Sequence, residues 1–207
     1  MSSLELPKTT RFAEERDVPR SYSDKIAARR EAHFVEGFVL TEVEDPEQLF
    51  RFYAEVNVNN SRLWELFTQL ATMLPDVCTC LFCQHENADD VTSGEHQDKE
   101  LTLATLNSMQ RELVGDCYLE FGLIYSDETT LIEIYVAESK FVKIWGIDQP
   151  HFEQIMAQHG ISKFEEMRFV DEFPKVVVPL TTLDAEAKST EEILDLLETA
   201  FVSGSRE

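Results

Sequence analysis

Apolar positions along this 207-residue chain switch repeatedly between a spacing of two and a spacing of three to four. Phe38-Val39-Leu40-Thr41-Glu42-Val43 predicts a strand. Asp45-Pro46-Glu47 then predicts a helix start, with Asp45 as cap, Pro46 at the first helical position, and Leu49, Phe50 and Phe52 behind it. Asn59-Asn60-Ser61 breaks that run and caps a second helix. There Leu63, Trp64, Leu66, Phe67, Leu70, Met73 and Leu74 recur at helical spacing, until Pro75-Asp76 ends it. Residues 77–84 read as a strand, and the acidic, turn-rich stretch 85–95 as a loop. A helix over 99–114 follows, with Leu103, Leu106, Met109, Gln110 and Leu113 along one side and Gly115 as its stop.

Strict alternation returns at Cys117, Leu119, Phe121, Leu123 and Tyr125. Short turns separate this strand from two more, over 131–136 and 141–145, which predicts a three-stranded antiparallel meander. Asp148 caps a helix carrying Phe152, Ile155 and Met156, and Gly160 ends it. Residues 164–170 read as a further strand, and 173–179 as an extended edge or connector because of Pro174 and Pro179. Ser189 and Glu192 have capping-box spacing ahead of Ile193, Leu194, Leu197 and Phe201. The expected fold is therefore α+β: an antiparallel sheet that includes the meander, packed by helices on at least one face. Leu66, Phe67, Leu70, Phe121, Leu123, Ile134 and Ile144 are expected in one core.

The division of the chain follows the same pattern. Residues 1–33 form a polar arm with a short helix capped by Ser23. Residues 34–183 form a single α+β domain, and 184–207 a C-terminal helix and tail. The arm reads either as loosely docked or as laying its bases on the acidic body.

Charge narrows the partner class. The chain carries a formal charge of −22, and residues 34–207 hold 34 acids against 11 bases. A field of that sign argues against nucleic acid and anionic membrane as partners and steers basic proteins inward. No run approaches the roughly 20 apolar residues needed to span a bilayer. The first residues have no apolar signal-peptide core, and three crowded cysteines suit reduced thiols, so a cytoplasmic location is expected.

Candidate chemistry is sparse. The seven glycines are too widely spaced for a phosphate-cradling loop, and no GxSxG or HExxH occurs. No catalytic residue and no cofactor is assigned. Cys78, Cys80, Cys83 and His85 are metal-ligand types, but strand geometry points Cys83 away from the other two. These cysteines are expected to be small core residues, with no metal. Glu86, Asp89, Asp90, Glu95 and Asp98 form the densest acidic cluster and are the expected partner-binding residues. Their spacing does not match a calcium loop.

Two readings of function follow. The first is an acidic cytosolic protein-binding module, of the immunity or antitoxin kind, that neutralises a basic partner by charge and shape. The second is an enzyme or small-ligand binder with a pocket near Cys83 and His85. A structural subunit that pairs with its own copy through a sheet edge is a third, plainer case.

Overall fold

The computed structural model describes residues 3–84 and 91–202. Its centre is a seven-stranded antiparallel sheet in the order β2-β3-β8-β7-β6-β4-β5, so the protein is α+β. The strands are β2 (Gly37–Glu42), β3 (Phe52–Asn57), β4 (Val77–Gln84), β5 (Thr92–Asp98), β6 (Leu119–Ser126), β7 (Leu131–Val136) and β8 (Val142–Gly146). Strands β6, β7 and β8 are the meander. A separate two-stranded ladder joins β1 (Thr10–Phe12) to β9 (Lys175–Val177). The helices are α1 (Ser23–Glu31), α2 (Leu63–Leu70), α3 (Lys99–Asn107), α4 (Gln110–Gly115), α5 (Gln149–Gln158) and α6 (Thr190–Phe201). Among the described residues, no helix is long and apolar enough to cross a membrane.

Alternation along the strands sorts the sheet into two faces. Leu40, Ala54, Ile144, Ile134, Leu123 and Cys80 stand opposite one another across six strands. Their face packs against the apolar stripes of α2 to α6, and all seven expected core residues lie there. Helix boundaries follow side-chain chemistry. Asp98 accepts the Leu101 N–H at the start of α3, and Asp148 accepts that of His151 at the start of α5. Ser189 and Glu192 complete the capping box of α6. Gly160, at φ +65°, closes α5 in the left-handed conformation that glycine adopts freely.

Several local expectations are corrected. No helix begins at Asp45: its carboxylate accepts the Glu47 N–H in a turn, and the chain returns as β3. Asp-Pro suits turns as well as helix starts, and Phe52, Ala54 and Val56, all fully buried, favour the strand. Residues 92–98 are a strand rather than loop. They are polar on both sides because they form an edge, held by backbone pairing to β4. The helix expected over 99–114 breaks at Ser108-Met109, where the Ser108 hydroxyl donates to the Thr105 carbonyl. Residues 164–170 form no strand; a single parallel bridge, Phe38 to Lys163, precedes them. Asn59 supplies no helix cap, since its side chain accepts the Glu5 N–H instead. Ser23 does not cap α1: it is the first helical residue, after Tyr22, and its hydroxyl donates to the Arg20 carbonyl.

The N-terminal segment is docked. Leu4, Leu6 and Phe12 pack on Phe34, Val170 and Phe173, and β1 pairs with β9. Three of its five arginines form ion pairs within the segment itself, Arg11–Asp17, Arg16–Glu14 and Arg30–Glu15, and Arg29 lies over the Phe12 ring.

One buried charge joins these parts. Lys140 is 2% exposed and sits at φ 61° in the β7–β8 turn. Its ammonium donates to the Leu119 carbonyl and lies in the field of Asp116, Glu120 and Glu138. Asp116 accepts from the Thr190 hydroxyl at 2.8 Å, and Glu138 pairs with Lys175 of β9 at 2.8 Å. Burial pushes the Lys140 pKa down while those carboxylates pull it up.

Truncation of Phe67 to Ala is expected to cost about 3–5 kcal/mol, because the ring is fully buried between sheet and helices. Lys140→Met is expected to cost a comparable amount, about 3–5 kcal/mol, by removing the cation from a buried ionic cluster. Urea unfolding measures both. A Phe67→Ala midpoint equal to wild type would contradict the core, and an equally stable Lys140→Met would show that the ammonium is dispensable.

Candidate functional site

The face of the sheet turned away from α2 to α6 is covered only in part. Residues 164–172 and the end of α1 lie over one corner, where Phe141, Phe169 and Ala137 form a small apolar cluster with Val39, Tyr135 and Met167. Register fixes what lies on the rest. One row reads Thr41, Tyr53, Trp145, Glu133, Ile124, Thr79, His96, running from β2 to β5. The next row reads Val39, Glu55, Lys143, Tyr135, Gly122, Leu81. Gly122 is required here: a Cβ would meet the Tyr135 ring at 2.9 Å and the Ile134 carbonyl at 2.6 Å.

Tyr53 and Trp145 pack with ring centroids 4.8 Å apart and planes tilted by 42°. They are half-buried, as are Glu55, Glu133 and Lys143 beside them. Burial pushes the Tyr53 phenol up, and the nearby charge of Glu55 adds to the effect. Burial also raises the Glu133 carboxyl, while Lys143 pulls it down. The patch thus combines flat aromatic area with carboxylates that are incompletely solvated, an arrangement suited to a guanidinium or ammonium. Between this face and residues 164–172 lies a groove of ≈ 1140 Å³, floored by Val39, Thr41, Glu55 and Lys143.

Of the residues expected from sequence, Glu86, Asp89, Asp90 and His85 lie outside the described residues. Glu95 and Asp98 are on the edge strand β5, both exposed, and Asp98 also caps α3. Cys78 and Cys80 face the core, whereas Cys83 lies on the other face beneath Tyr135, its sulfur 3.3 Å from the phenol oxygen. Burial raises the pKa of all four thiols, which disfavours the nucleophilic thiolate. Among the described residues, no group of three or more His, Cys, Asp or Glu side chains is placed to hold a metal ion. Trp145 is legible from sequence as a sheet-face residue. Tyr53 becomes legible only once residues 52–57 are taken as a strand with aromatic and acidic side chains at its alternate positions.

Glu133 gives the patch a pH signature. Its folded-state pKa lies above the ordinary 4.5, so the folded protein holds this proton more tightly than the unfolded chain does. The associated stability is complete below the ordinary value and is lost as pH rises through the folded one. Glu133→Gln, which cannot ionise, is expected to gain stability relative to wild type across that window and keep the gain at neutral pH. Urea midpoints at a series of pH values check this, and a wild-type-to-variant difference independent of pH would refute it. Nothing among family models, curated proteins or solved structures matches the chain.

Proposed function

We propose that the protein is a binding module that receives a basic protein partner on the partly covered face of its sheet, opposite α2 to α6. The observation that carries this reading is the Tyr53–Trp145 ring pair flanked by Glu55 and Glu133, half-buried on the partly covered face of a chain of charge −22. Aromatic side chains of this kind supply most of the energy in protein interfaces, and arginine both stacks on them and pairs with carboxylates. A second cation beside Glu133 offsets the cost of its burial. Exposed Glu95 and Asp98 on β5, in a stretch of sequence that also holds Glu86, Asp89 and Asp90, add negative charge that speeds encounter. A toxin with a basic nucleic-acid-binding surface matches this charge, which makes an immunity or antitoxin role the specific form of the reading.

Co-purification from native cells at low salt, followed by mass spectrometry, supplies the partner. Stopped-flow association of the purified pair then tests the surface. Trp145→Ala is expected to weaken the complex by about 2 kcal/mol or more. Combined Asp89→Lys, Asp90→Lys and Glu95→Lys should slow association at low salt, with the effect shrinking above about 0.15 M, where the Debye length is about 8 Å. A partner that binds both variants as tightly and as fast as wild type would overturn the proposal.

A further inference from the structure

The outer edge of β2 is only partly occupied. Phe38 turns both backbone groups outward: its N–H donates to the Ser162 carbonyl at 3.0 Å, and its carbonyl accepts from Phe164 N–H at 2.8 Å. In an antiparallel pair the hydrogen-bonding direction alternates, so Leu40 and Glu42 also turn N–H and C=O outward. Val43, of the opposite parity, bonds inward to Arg51. Beyond Phe164 the chain leaves this edge. The Phe164 ring stands 2.5 Å from where a Cβ on Gly37 would lie, with the Met167 sulfur at 3.0 Å, so the segment crosses the sheet at the Gly37 end. Leu40 and Glu42 are left behind, and among the described residues no backbone partner takes up their outward groups.

We propose that this edge, together with the groove beside it, takes an extended basic segment of the partner as an added strand. The inference rests on the binding-module reading and names the docking mode. Main-chain hydrogen bonds to Leu40 and Glu42 supply affinity, and alternate side chains of the added strand reach the groove face next to Val39 and Thr41. Charge selects the occupant. Six carboxylates line the groove, against Lys143 and Arg168; Arg168 is paired with Glu172 at 2.6 Å and Asp171 with Lys175 at 2.5 Å, so Glu31, Glu55, Glu165 and Glu166 carry the groove's negative charge. The strand runs out into Glu42, Glu44, Asp45 and Glu47 with no base before Arg51. A second copy of this chain brings the same acids and is repelled; a segment alternating basic and aliphatic residues is attracted on one face and packs on the other.

The test uses the full chain and a synthetic peptide of about eight alternating Arg and Val residues. Residue-resolved amide exchange by NMR is expected to show Leu40 and Glu42 protected about tenfold or more on saturation, with a Glu/Val peptide giving no protection. Glu42→Pro deletes an outward N–H at an edge position that tolerates proline and should weaken peptide binding about tenfold. Glu42→Gln, which keeps the N–H, should weaken it by no more than about fivefold. Protection of β5 amides instead, unaltered exchange at Leu40 and Glu42, or Glu42→Pro binding like wild type would overturn the proposal. A native partner that depends on Trp145 yet leaves the β2 edge exchanging freely would sink the strand-addition mode and leave the binding-module reading standing.

Discussion

A single ammonium with almost no access to water ties the sheet to its outlying parts. Lys140 occupies a left-handed backbone conformation that costs a non-glycine residue of order 1–3 kcal/mol, and it persists because its surroundings fix it. From it, contacts spread to β6 through the Leu119 carbonyl, to α6 through Asp116 and Thr190, and to β9 through Glu138 and Lys175. Strand β9 in turn holds β1, and Thr9 donates to the Gly115 carbonyl at 2.7 Å. The N-terminal segment, the C-terminal helix and the meander therefore meet at one polar cluster. Apolar packing supplies the bulk of the stability, whereas this cluster fixes how the peripheral segments register against the sheet.

Strand alternation separates the two faces by task. One face is covered by five helices and carries the core. The other keeps half-buried Tyr53, Trp145, Glu55, Glu133 and Lys143 in mixed contact with solvent. Burying a carboxylate beside an aromatic pair in an already negative chain is unfavourable in the isolated protein, as the raised Glu133 pKa records. Such a penalty is relieved by an external cation, which links the electrostatics of the fold to the proposed partner.

How far the sequence discloses this depends on how many constraints each residue satisfies at once. Helices α2, α5 and α6 and the meander strands are legible because each buries one regular stripe. Strand β5 is not, because Thr92–Asp98 borders the sheet and shows no apolar alternation. Strand β3 is obscured by Asp45-Pro46-Glu47, a signal shared by turns and helix starts. The same ambiguity hides half of the candidate site. Trp145 follows visible strand periodicity, but its ring partner Tyr53 sits in the strand that the turn signal conceals. Acid density marks Glu95 and Asp98 without revealing that Asp98 begins a helix. Long-range pairings such as Phe38 with Lys163 leave no local pattern at all.

The four thiols add a different property. Cys78, Cys80, Cys83 and Cys117 are all buried, and burial holds each in its protonated form. Three lie within the interior strand β4, and the fourth precedes β6, the strand on which β4 rests. Cys78 and Cys80 face the core, so alkylating reagents reach them only when helices and sheet part, and the rate of their modification serves as a built-in clock for opening of the fold, with no label attached.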